Sequence, residues 1–398
     1  MRGRYVDRVW QFDPTLYAPA RYRRACRYRA FVPDPISGLD FRMDARLAGV
    51  VSDAENALRD LNEAAAPALA PLARLLLRTE SIASSRVEGM QIDVRQLARA
   101  EAKAEAGGRA SATALEILGN IDAMELAIHG AAVAERFSVD RILEIHARLM
   151  EHAPHSHIAG RLRTTQNWIG GNDYNPCGAD YVPPPPEEVE PLLVDLCRAI
   201  DDEALPPLVQ AALVHAQFET IHPFGDGNGR TGRALIHVVL RRRGISPDYV
   251  PPISVVLASQ KDRYIEGLEQ YREDELEAWL ERFVVAAARS ARLAGAYLEA
   301  VERLMERWRE KLAAGANPRS DAAAWAVIDV LPAHPIITAP LAAAATGRAK
   351  SAVSQAVTEL QDASVLLPLS KSRRNRSWEA DGLLDLMASL EAGEPPTG

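Results

Sequence analysis

The chain has 398 residues, enough for two or three domains that each bury a core. Its net charge of −8 disfavours a protein that coats nucleic acid. No apolar run reaches about 18 residues, so no membrane-spanning helix is expected. The three cysteines are scattered, and neither a disulfide framework nor a zinc site is predicted from them. The N-terminus lacks an apolar signal core, so a cytoplasmic protein is expected.

The first segment is rich in arginine, with eight arginines and six aromatic residues between positions 2 and 29. A basic, aromatic arm of this kind can bind acidic partners or RNA. It can also pack over the body of the protein, with its aliphatic stems buried and its charged ends in water. The packing interpretation is favoured.

An apolar stretch follows, with leucine and isoleucine at helical spacing between positions 69 and 82. It leads into Ser84-Ser85-Arg86-Val87-Glu88-Gly89, where the glycine predicts the end of the helix. Taken alone, this ending is a solvated helix terminus. Further on, β-forming residues around a polar Gly/Asn/Asp turn, closed by four prolines at 183–186, predict a hairpin over 160–183.

Residues 222–233 read HPFGDGNGRTGR and lie between two apolar helical runs, 208–221 and 234–240. A tight loop whose last part opens the second helix is therefore predicted. Gly227 and Gly229 permit positive φ and a close approach of a ligand to the main chain. The N–H groups of such a turn, with the start of the following helix, form a binding site for an anion.

The charged residues of this segment indicate what the anion is. Arg230 and Arg233 are three apart and share a helix face, so they can clamp a polyphosphate together. Asp226 suits Mg²⁺ held mainly by phosphates, and His222 can take a proton from a hydroxyl. No lysine stands where a P-loop needs one. The combination predicts transfer of a phosphate or nucleotidyl group to a hydroxyl, with a plain turn as the alternative.

The segment resembles the complete signature of Fic-domain proteins. The resemblance implies an all-helical core that binds ATP with Mg²⁺ and transfers AMP to a protein Ser, Thr or Tyr hydroxyl. By position, His222 would be the general base, Asp226 the Mg²⁺ ligand and Phe224 the anchor of the loop. Relatives that phosphorylate their targets have Lys-Arg after the asparagine, where this chain has Gly-Arg. The nucleotide-binding residues implied here are Gly227, Asn228, Gly229, Arg230, Thr231, Gly232 and Arg233.

Three other segments resemble parts of the same family. Ser84, Glu88 and Gly89 fit its inhibitory pattern, which implies that Glu88 pairs with Arg233 in place of the γ-phosphate. Residues 160–183 resemble the flap, which pairs its main chain with the target protein; the alternative is a hairpin without a partner. The residues that this resemblance places beside the nucleotide are Asn167, Trp168, Ile169 and Gly170 in the flap, and Tyr264 and Ile265 downstream.

The C-terminal part predicts a separate module after a linker at 313–318. Helices over 323–331, 338–345 and 351–360 precede two short strands, at 365–367 and 371–378, around a basic tip. This order resembles a winged helix-turn-helix, in which Lys350, Ser351, Ser354 and Gln355 would face DNA. Many such modules bind proteins instead, so DNA binding is left open.

The sequence thus predicts a mainly α protein, with a Fic-type helical bundle, a small β-hairpin flap and a C-terminal winged-helix domain. The domains expected are 1–125 with the inhibitory motif, 126–312 with the Fic core, and 318–390. The function expected is that of an autoinhibited, self-modifying protein adenylyltransferase that uses ATP and Mg²⁺. Removal of AMP from a modified protein and a nucleotide-sensing, DNA-binding regulator are the alternatives. The partners expected are a target protein along the flap and no membrane; a homodimer is left open.

Overall fold

The structure is a computed structural model that describes residues 3–12, 14–15, 17–63, 70–105, 108–133, 135–369 and 376–396. In these residues it contains fifteen α-helices and two small antiparallel sheets, so the predicted, mainly helical class is confirmed. None of the described helices is both long and apolar enough to cross a membrane. The chain divides into two compact units.

The helices are α1 (Ala45–Glu63), α2 (Ala70–Val87), α3 (Val94–Glu105), α4 (Ala112–Val133), α5 (Val139–Met150), α6 (Pro186–Asp201), α7 (Pro207–Ile221), α8 (Asn228–Arg242), α9 (Ile253–Ser259), α10 (Lys261–Arg272), α11 (Leu276–Gly315), α12 (Ala323–Val330), α13 (Ala339–Thr346), α14 (Lys350–Asp362) and α15 (Leu383–Ala392). The strands are β1 (Gly3–Trp10), β2 (Cys26–Pro33), β3 (Ile336–Thr338), β4 (Leu366–Pro368) and β5 (Ser377–Ala380).

Helix α7 forms the core of the first unit, which comprises Met1–Glu55, Asp122–Ile245 and Lys261–Val285. Every residue of α7 from Leu208 to Ile221 is buried, so other elements enclose this helix on all sides. α6, α8 and α10 pack against it. The Trp279 indole N–H donates to the main-chain oxygen of Ala212 at 3.0 Å, which fastens α11 to this core. Both apolar runs predicted around the motif are thus helices.

The Arg-rich N-terminal arm is an antiparallel hairpin, in which β1 pairs with β2 from Gly3↔Pro33 to Trp10↔Cys26. We call β1 and β2 the N-terminal hairpin. Two of its arginines form salt bridges with the start of α6, Arg4 with Glu188 and Arg8 with Glu187, each at 2.6 Å. The arm therefore packs on the first unit through one face.

The expectation that the cysteines form no disulfide was wrong. Cys26 at the start of β2 is bonded to Cys177 in the predicted flap, with their Cα atoms 6.4 Å apart. The two residues are 151 positions apart, and their spacing follows no known metal or redox motif. Only the fold brings them together. Cys197 is buried as a free thiol in α6.

The second unit comprises Asn56–Ile121, Ser246–Gln260 and Ala286–Gly398. Helix α2 is the predicted apolar helix, and it packs against α9, where Ser254 N–H and Oγ donate to the Glu80 carboxylate at 2.8 and 2.6 Å. The helix ends at Val87, and Gly89, whose φ is 83°, lies in the turn that closes it, as predicted. Past that turn, Met90 N–H donates to the main-chain oxygen of Ser85 at 3.1 Å, which closes the C-terminus of the helix.

The C-terminal elements pack in this same second unit. The predicted helices are α12, α13 and α14, and the predicted strands are β4 and β5, in a sheet of order β3–β5–β4. Arg95 of α3 bonds Glu379 of β5 and Asp385 of α15, at 2.9 and 3.1 Å. Helix α11 runs through the first part of the predicted linker, to Gly315. The three-domain division stays a prediction, and the basic tip at 371–374 lies outside the described residues.

Candidate active site

His222 is the residue that ends α7. Its φ of 49° and ψ of 61° are left-handed, and its N–H donates to the main-chain oxygen of Phe218 at 2.9 Å. This turn takes the chain out of the helix, and the side chain remains 21% exposed. The imidazole Nδ1 is 3.9 Å from Glu219 Oε2. The predicted base is thus held on a buried helix while its ring reaches the surface.

The loop after His222 is fastened from inside by Phe224 and Asn228. Phe224 is fully buried, and its ring lies flat on the His146 ring with 3.6 Å between centroids. Asn228 Oδ1 accepts from Phe224 N–H at 2.8 Å, while Asn228 Nδ2 donates to the Phe224 oxygen at 2.9 Å. The anchoring role predicted for Phe224 is consistent with this packing. Asn228 shapes the loop as well as starting α8.

His146, on α5, was not identified from the sequence. Its Nδ1 accepts from Gly160 N–H at 3.0 Å, which leaves the proton on Nε2. Nε2 then donates to the main-chain oxygen of Asp226 at 3.0 Å. Burial lowers the pKa of His146 to about 4, so the ring stays neutral near pH 7. A lone histidine on an amphipathic helix carries no sequence signal of this role.

Of the two glycines expected at positive φ, only Gly227 has it. Its φ is 78°, and a β-carbon built there would lie 3.1 Å from Met150 Sδ and 3.2 Å from Leu149 Cδ2. Gly229 lies inside α8 with an ordinary helical φ, so that part of the expectation was wrong. The helix begins at Asn228, earlier than the sequence suggested, and its first turn is part of the motif.

Two arginines on α8 supply the positive charge of the site. Arg230 and Arg233 are each only 1% exposed. Arg230 Nη2 lies 3.7 Å from Asp226 Oδ1. The first N–H groups of any helix have no intrahelical acceptor, and they give this end a partial positive charge. Buried guanidinium groups at such a helix start favour an anion.

The remaining predicted residues of α8, Thr231 and Gly232, lie in the packing between helices. Thr231 is fully buried. A β-carbon at Gly232 would be 2.6 Å from Glu219 Oε1 and 2.9 Å from the Phe218 ring, so only glycine allows α8 to lie this close to α7. Their nucleotide-binding roles stay predictions.

The predicted flap holds the loop through Arg163 and Asn167. Arg163 Nε donates to the His222 oxygen at 2.9 Å, and its main-chain N–H donates to the Pro223 oxygen at 3.0 Å. Asn167 Nδ2 donates to the oxygens of His222 and Phe224, both at 3.1 Å. Burial lowers the pKa of Arg163 to about 10, which still leaves it charged at neutral pH. Arg163 was missed because its partners are main-chain oxygens distant in sequence.

The flap itself is less regular than predicted. In place of two strands over 160–183 it has one isolated bridge, between Ile169 and Tyr181. Ile169 is 39% exposed, and Gly170 has a φ of 74°. Other hydrogen bonds connect the flap to the region around the loop. The Arg163 main-chain N–H donates to the Pro223 oxygen, and the Tyr181 hydroxyl donates to the Thr220 oxygen at 2.7 Å. These bonds replace the ladder of a longer hairpin.

Tyr264 and Ile265 lie on α10. Tyr264 is 6% exposed, with its hydroxyl 2.9 Å from His215 Nε2 and its ring beside Trp279. Burial and the charge of Arg233 lower the pKa of His215 to about 3, so its ring is neutral. Ile265 is exposed. An adenine contact for either residue stays a prediction.

The predicted inhibitory residues belong to the second unit, at the end of α2. Ser84 is fully buried, Glu88 is exposed, and Gly89 forms the left-handed end of the helix. Their inhibitory role stays a prediction. No group of three or more His, Cys, Asp or Glu side chains suited to a metal occurs in the part of the chain that the structure describes.

Two segments match known families: residues 136–240 match the Fic/DOC family, and residues 49–129 match the Fic/DOC family N-terminal region. The first match contains the loop, His222 and both arginines. Residues 136–240 are therefore similar to a Fic domain. A protein named protein adenylyltransferase Fic, from Nematostella vectensis, is 37% identical over 154 residues, which are 38% of this chain and 32% of the relative. The Caenorhabditis elegans protein named protein adenylyltransferase fic-1 is 36% identical over 120 residues, 29% of this chain and 22% of the relative.

Solved structures of Fic proteins have the same fold. A Fic family protein from Desulfovibrio desulfuricans aligns with a TM-score of 0.51 at 19% identity, over 86% of this chain and 98% of that one. Fic-1 from C. elegans aligns with a TM-score of 0.51 at 22% identity, over 64% and 74%. The match to the two curated relatives spans a third of their length or less, so the similarity locates the Fic domain without covering the whole proteins.

Proposed function

We propose that this Fic protein is a protein adenylyltransferase, which transfers AMP from ATP to a Ser, Thr or Tyr hydroxyl of a target protein. The supporting observation is the geometry around one loop. His222 ends α7 with its ring at the surface, and the buried Arg230 and Arg233 lie on the first turns of α8. A proton acceptor beside two buried cations suits a hydroxyl nucleophile and a polyphosphate.

The reaction follows from these groups. The target hydroxyl oxygen attacks the α-phosphorus of ATP, its proton passes to His222, and the bond from that phosphorus to the bridging oxygen breaks. Pyrophosphate leaves, and its negative charge is stabilised by the arginines and the N-terminus of α8. A base of this kind typically contributes about 10²–10⁴ in rate. The fixed positions of loop and helix supply orientation.

Asp226 fits the Mg²⁺ that such a reaction uses. Its carboxylate is 49% exposed beside the start of α8, and a single carboxylate is what Mg²⁺ held mainly by phosphates requires. When bound, the ion would neutralise phosphate charge. His146 supports Asp226 by holding its main-chain oxygen at 3.0 Å.

The flap is the proposed binding segment for the target. Ile169 and Gly170 are exposed, and the main chain of Ile169 already pairs with Asp180 and Tyr181. The main-chain groups offered to an extended target segment would therefore be those of the neighbouring Gly170. Asn167 ties this segment to the loop that carries His222. Target main chain and nucleotide would thus be positioned by one connected set of hydrogen bonds.

Glu88 is the proposed inhibitor of the same site. Its carboxylate would pair with Arg233 in place of the γ-phosphate, so ATP would bind with its α-phosphate misaligned. The closed end of α2 supports the proposal, because Gly89 and the Met90–Ser85 hydrogen bond fix the position of residue 88 relative to the helix. Self-modification would then rise when the carboxylate is removed.

Labelled ATP tests the reaction class. The Glu88→Gly chain is incubated with Mg²⁺ and ATP that carries its label on either the α- or the γ-phosphate. Label retained on protein from the α-position alone supports AMP transfer. Label retained from the γ-position indicates phosphorylation, and no retained label in the presence of nucleotide binding indicates a sensor.

The C-terminal part carries a second proposal, that α14 binds DNA. Lys350, Ser351, Ser354 and Gln355 are all exposed on this helix. Fluorescence anisotropy of a labelled duplex with the full chain at two salt concentrations tests it. Binding that weakens with salt and with Lys350→Glu supports the proposal. A lack of binding at low salt overturns it. A cytoplasmic location and a homodimer stay predictions.

A further inference from the structure

The N-terminal hairpin and the loop between its two strands contact residues 168–180 of the flap at three places. Trp10 meets the edge of Trp168 with 5.4 Å between ring centroids, and Tyr22 stacks on Tyr174 at 5.1 Å. The third contact is the disulfide between Cys26 and Cys177. Tyr174 and Cys177 lie between the bridged residues Ile169 and Tyr181, and Trp168 directly precedes Ile169. We call residues 168–180 the outer part of the flap.

This outer part of the flap has little regular structure of its own. Asn172 organises it, since Oδ1 accepts from the N–H groups of Tyr174 and Asn175 at 2.9 and 3.0 Å. Asn172 also accepts the Trp168 indole N–H at its main-chain oxygen, at 2.6 Å. These are turn contacts, and the bridge adds only three main-chain hydrogen bonds, which Ile169 forms with Asp180 and Tyr181. The flap therefore depends on a neighbour for a fixed position.

The N-terminal hairpin is suited to be that neighbour because it is anchored at its other side. Ala30, Phe31 and Val32 of β2 are buried, and β2 packs against α7. At the base of the flap, Phe31 N–H also donates to the Val182 oxygen at 2.9 Å. The salt bridges of Arg4 and Arg8 with α6 hold β1. The hairpin is thus fixed to the first unit, and the disulfide joins the flap to it.

We propose that Cys26 and Cys177 form a reversible thiol–disulfide site that fixes the flap, and that its oxidation state sets how well this enzyme uses a protein target. Both residues are partly exposed, so a small thiol or disulfide can reach them. This inference rests on the proposed role of the flap in target binding. Neither the family matches nor the sequence pattern assigns the pair.

The chemistry balances with a disulfide as oxidant. The thiolate of one cysteine attacks a sulfur of glutathione disulfide, and one glutathione thiolate leaves. The second cysteine then attacks the mixed disulfide, so the internal bond forms and the second glutathione leaves. Two protein thiols are oxidised, and one glutathione disulfide is reduced to two thiols. Excess glutathione reverses both steps, as in a reducing compartment.

The expected effect is on target binding. With the bond closed, the flap is ordered before the target arrives, so binding costs less conformational entropy. With the bond open, the two ring contacts remain but the loop is freer. We expect the KM for a protein target to rise roughly tenfold on reduction, with ATP binding unchanged.

Thiol counting on the full chain tests the site itself. Wild type is equilibrated with glutathione disulfide or with excess glutathione, denatured, alkylated and weighed by mass spectrometry. Of the three cysteines, one is expected to be alkylated after oxidation and three after reduction. Three alkylated cysteines under both conditions would show that the pair does not form. Cys197→Ser is the matched control and should give none after oxidation and two after reduction. In the folded protein burial raises the pKa of the Cys197 thiol to about 12, so it does not exchange with glutathione before denaturation.

Hydrogen exchange tests the consequence without any enzyme assay. The amides of 168–180 should exchange faster in the reduced protein and in Cys26→Ser, while those of 222–233 stay the same. Cys197→Ser should match wild type. Equal exchange of the flap in oxidised and reduced protein would overturn the positioning role.

Transfer then tests the link to function, with a His222→Ala copy of this chain as the protein target of the Glu88→Gly enzyme. A higher KM for that copy under reducing conditions, with equal ATP binding, supports the proposal. An unchanged KM contradicts it. A complete lack of transfer in both states counts against the proposed function, and the thiol and exchange results still decide whether the site exists.

Discussion

Arg86, in the last turn of α2, holds Glu391 of α15 by two hydrogen bonds. Its Nη1 donates to the main-chain oxygen at 2.6 Å, and its Nη2 donates to Oε2 at 2.8 Å. The Glu391 side chain is 2% exposed, and its Oε1 has no hydrogen-bond partner among the residues that the structure describes. The last helix is therefore tied to the end of α2, two residues before Glu88.

Glu391 predicts a pH dependence of stability. Burial raises its pKa from 4.5 to about 7, against the opposing charges of Arg86 and Arg78 and with a contribution from Asp93. Because the folded protein binds the proton more tightly, the stabilisation is complete below the unfolded pKa and is lost as the pH rises through about 7. The difference between the unfolded and folded pKa values corresponds to roughly 3 kcal/mol in the free energy of unfolding.

Melting curves between about pH 5 and pH 8 measure this dependence. Wild type should lose more stability over that range than Glu391→Gln, whose amide does not titrate. Asp385→Asn, on the exposed side of the same helix, serves as the control and should follow wild type. Parallel curves for wild type and Glu391→Gln would show that Glu391 is not a buried, protonated group.

Removal of residues 318–398 should destabilise the second unit. The Trp308 indole N–H donates to the Asp381 oxygen at 3.1 Å, and Arg95 loses Glu379 as well. Truncation would also expose apolar side chains of α2 and α3 to water. We expect a lower apparent melting temperature than for a chain that ends at Glu394, just past α15. Equal melting temperatures would mean that 318–398 is an independent module.

Much of the site was predictable because its residues are adjacent in sequence. The segment 222–233 showed a loop between two helices, and the observed α7 and α8 confirm it. Local rules also located the end of α2 at Gly89 and the short helices of the C-terminal part. Each of these features depends on neighbours within a few positions.

Features that depend on distant contacts were missed. His146 and Arg163 donate hydrogen bonds to main-chain oxygens of a loop that is distant in sequence. Arg163 is 59 positions from its partner His222, and His146 is 80 positions from Asp226. The Cys26–Cys177 bond and the shared unit of α2 with α15 arise in the same way. The flap lacks long strands because its main chain bonds other segments, which no periodicity reports.

Gly227 is predicted to be indispensable for the loop. Its left-handed φ of 78° and the close approach of Met150 mean that Gly227→Ala adds strain of about 1–2 kcal/mol, plus steric contact. Thermal melting and ATP binding should both deteriorate. Gly225→Ala is the matched control, because its β-carbon would sit at 3.4 Å from Ile158 and its φ is not positive. If both variants melted at the same temperature and bound ATP equally well, the positive φ of Gly227 would not be required for the loop.

His222→Ala should abolish AMP transfer and leave ATP binding largely intact. His222 lies at the end of α7. The groups that would hold the phosphates, which are the buried arginines and the helix N-terminus, belong to α8. The assay pairs calorimetric ATP titration with transfer of labelled AMP, both in the Glu88→Gly background. Transfer that stays within a few-fold of the parent would exclude His222 as the base. Loss of ATP binding would assign it to the phosphate site instead.

Intact-mass analysis of the Glu88→Gly chain after incubation with ATP and Mg²⁺ decides whether this protein transfers AMP. If Glu88 holds Arg233 as proposed, removal of the carboxylate frees the arginine for the γ-phosphate, and we expect a mass increase of one AMP or more by self-modification. Glu88→Gly with Arg233→Ala should show little increase, because the phosphate contact is lost as well, and wild type should be intermediate or unmodified. An unchanged mass for Glu88→Gly, or an increase of phosphate alone, would show that the protein does not modify itself with AMP.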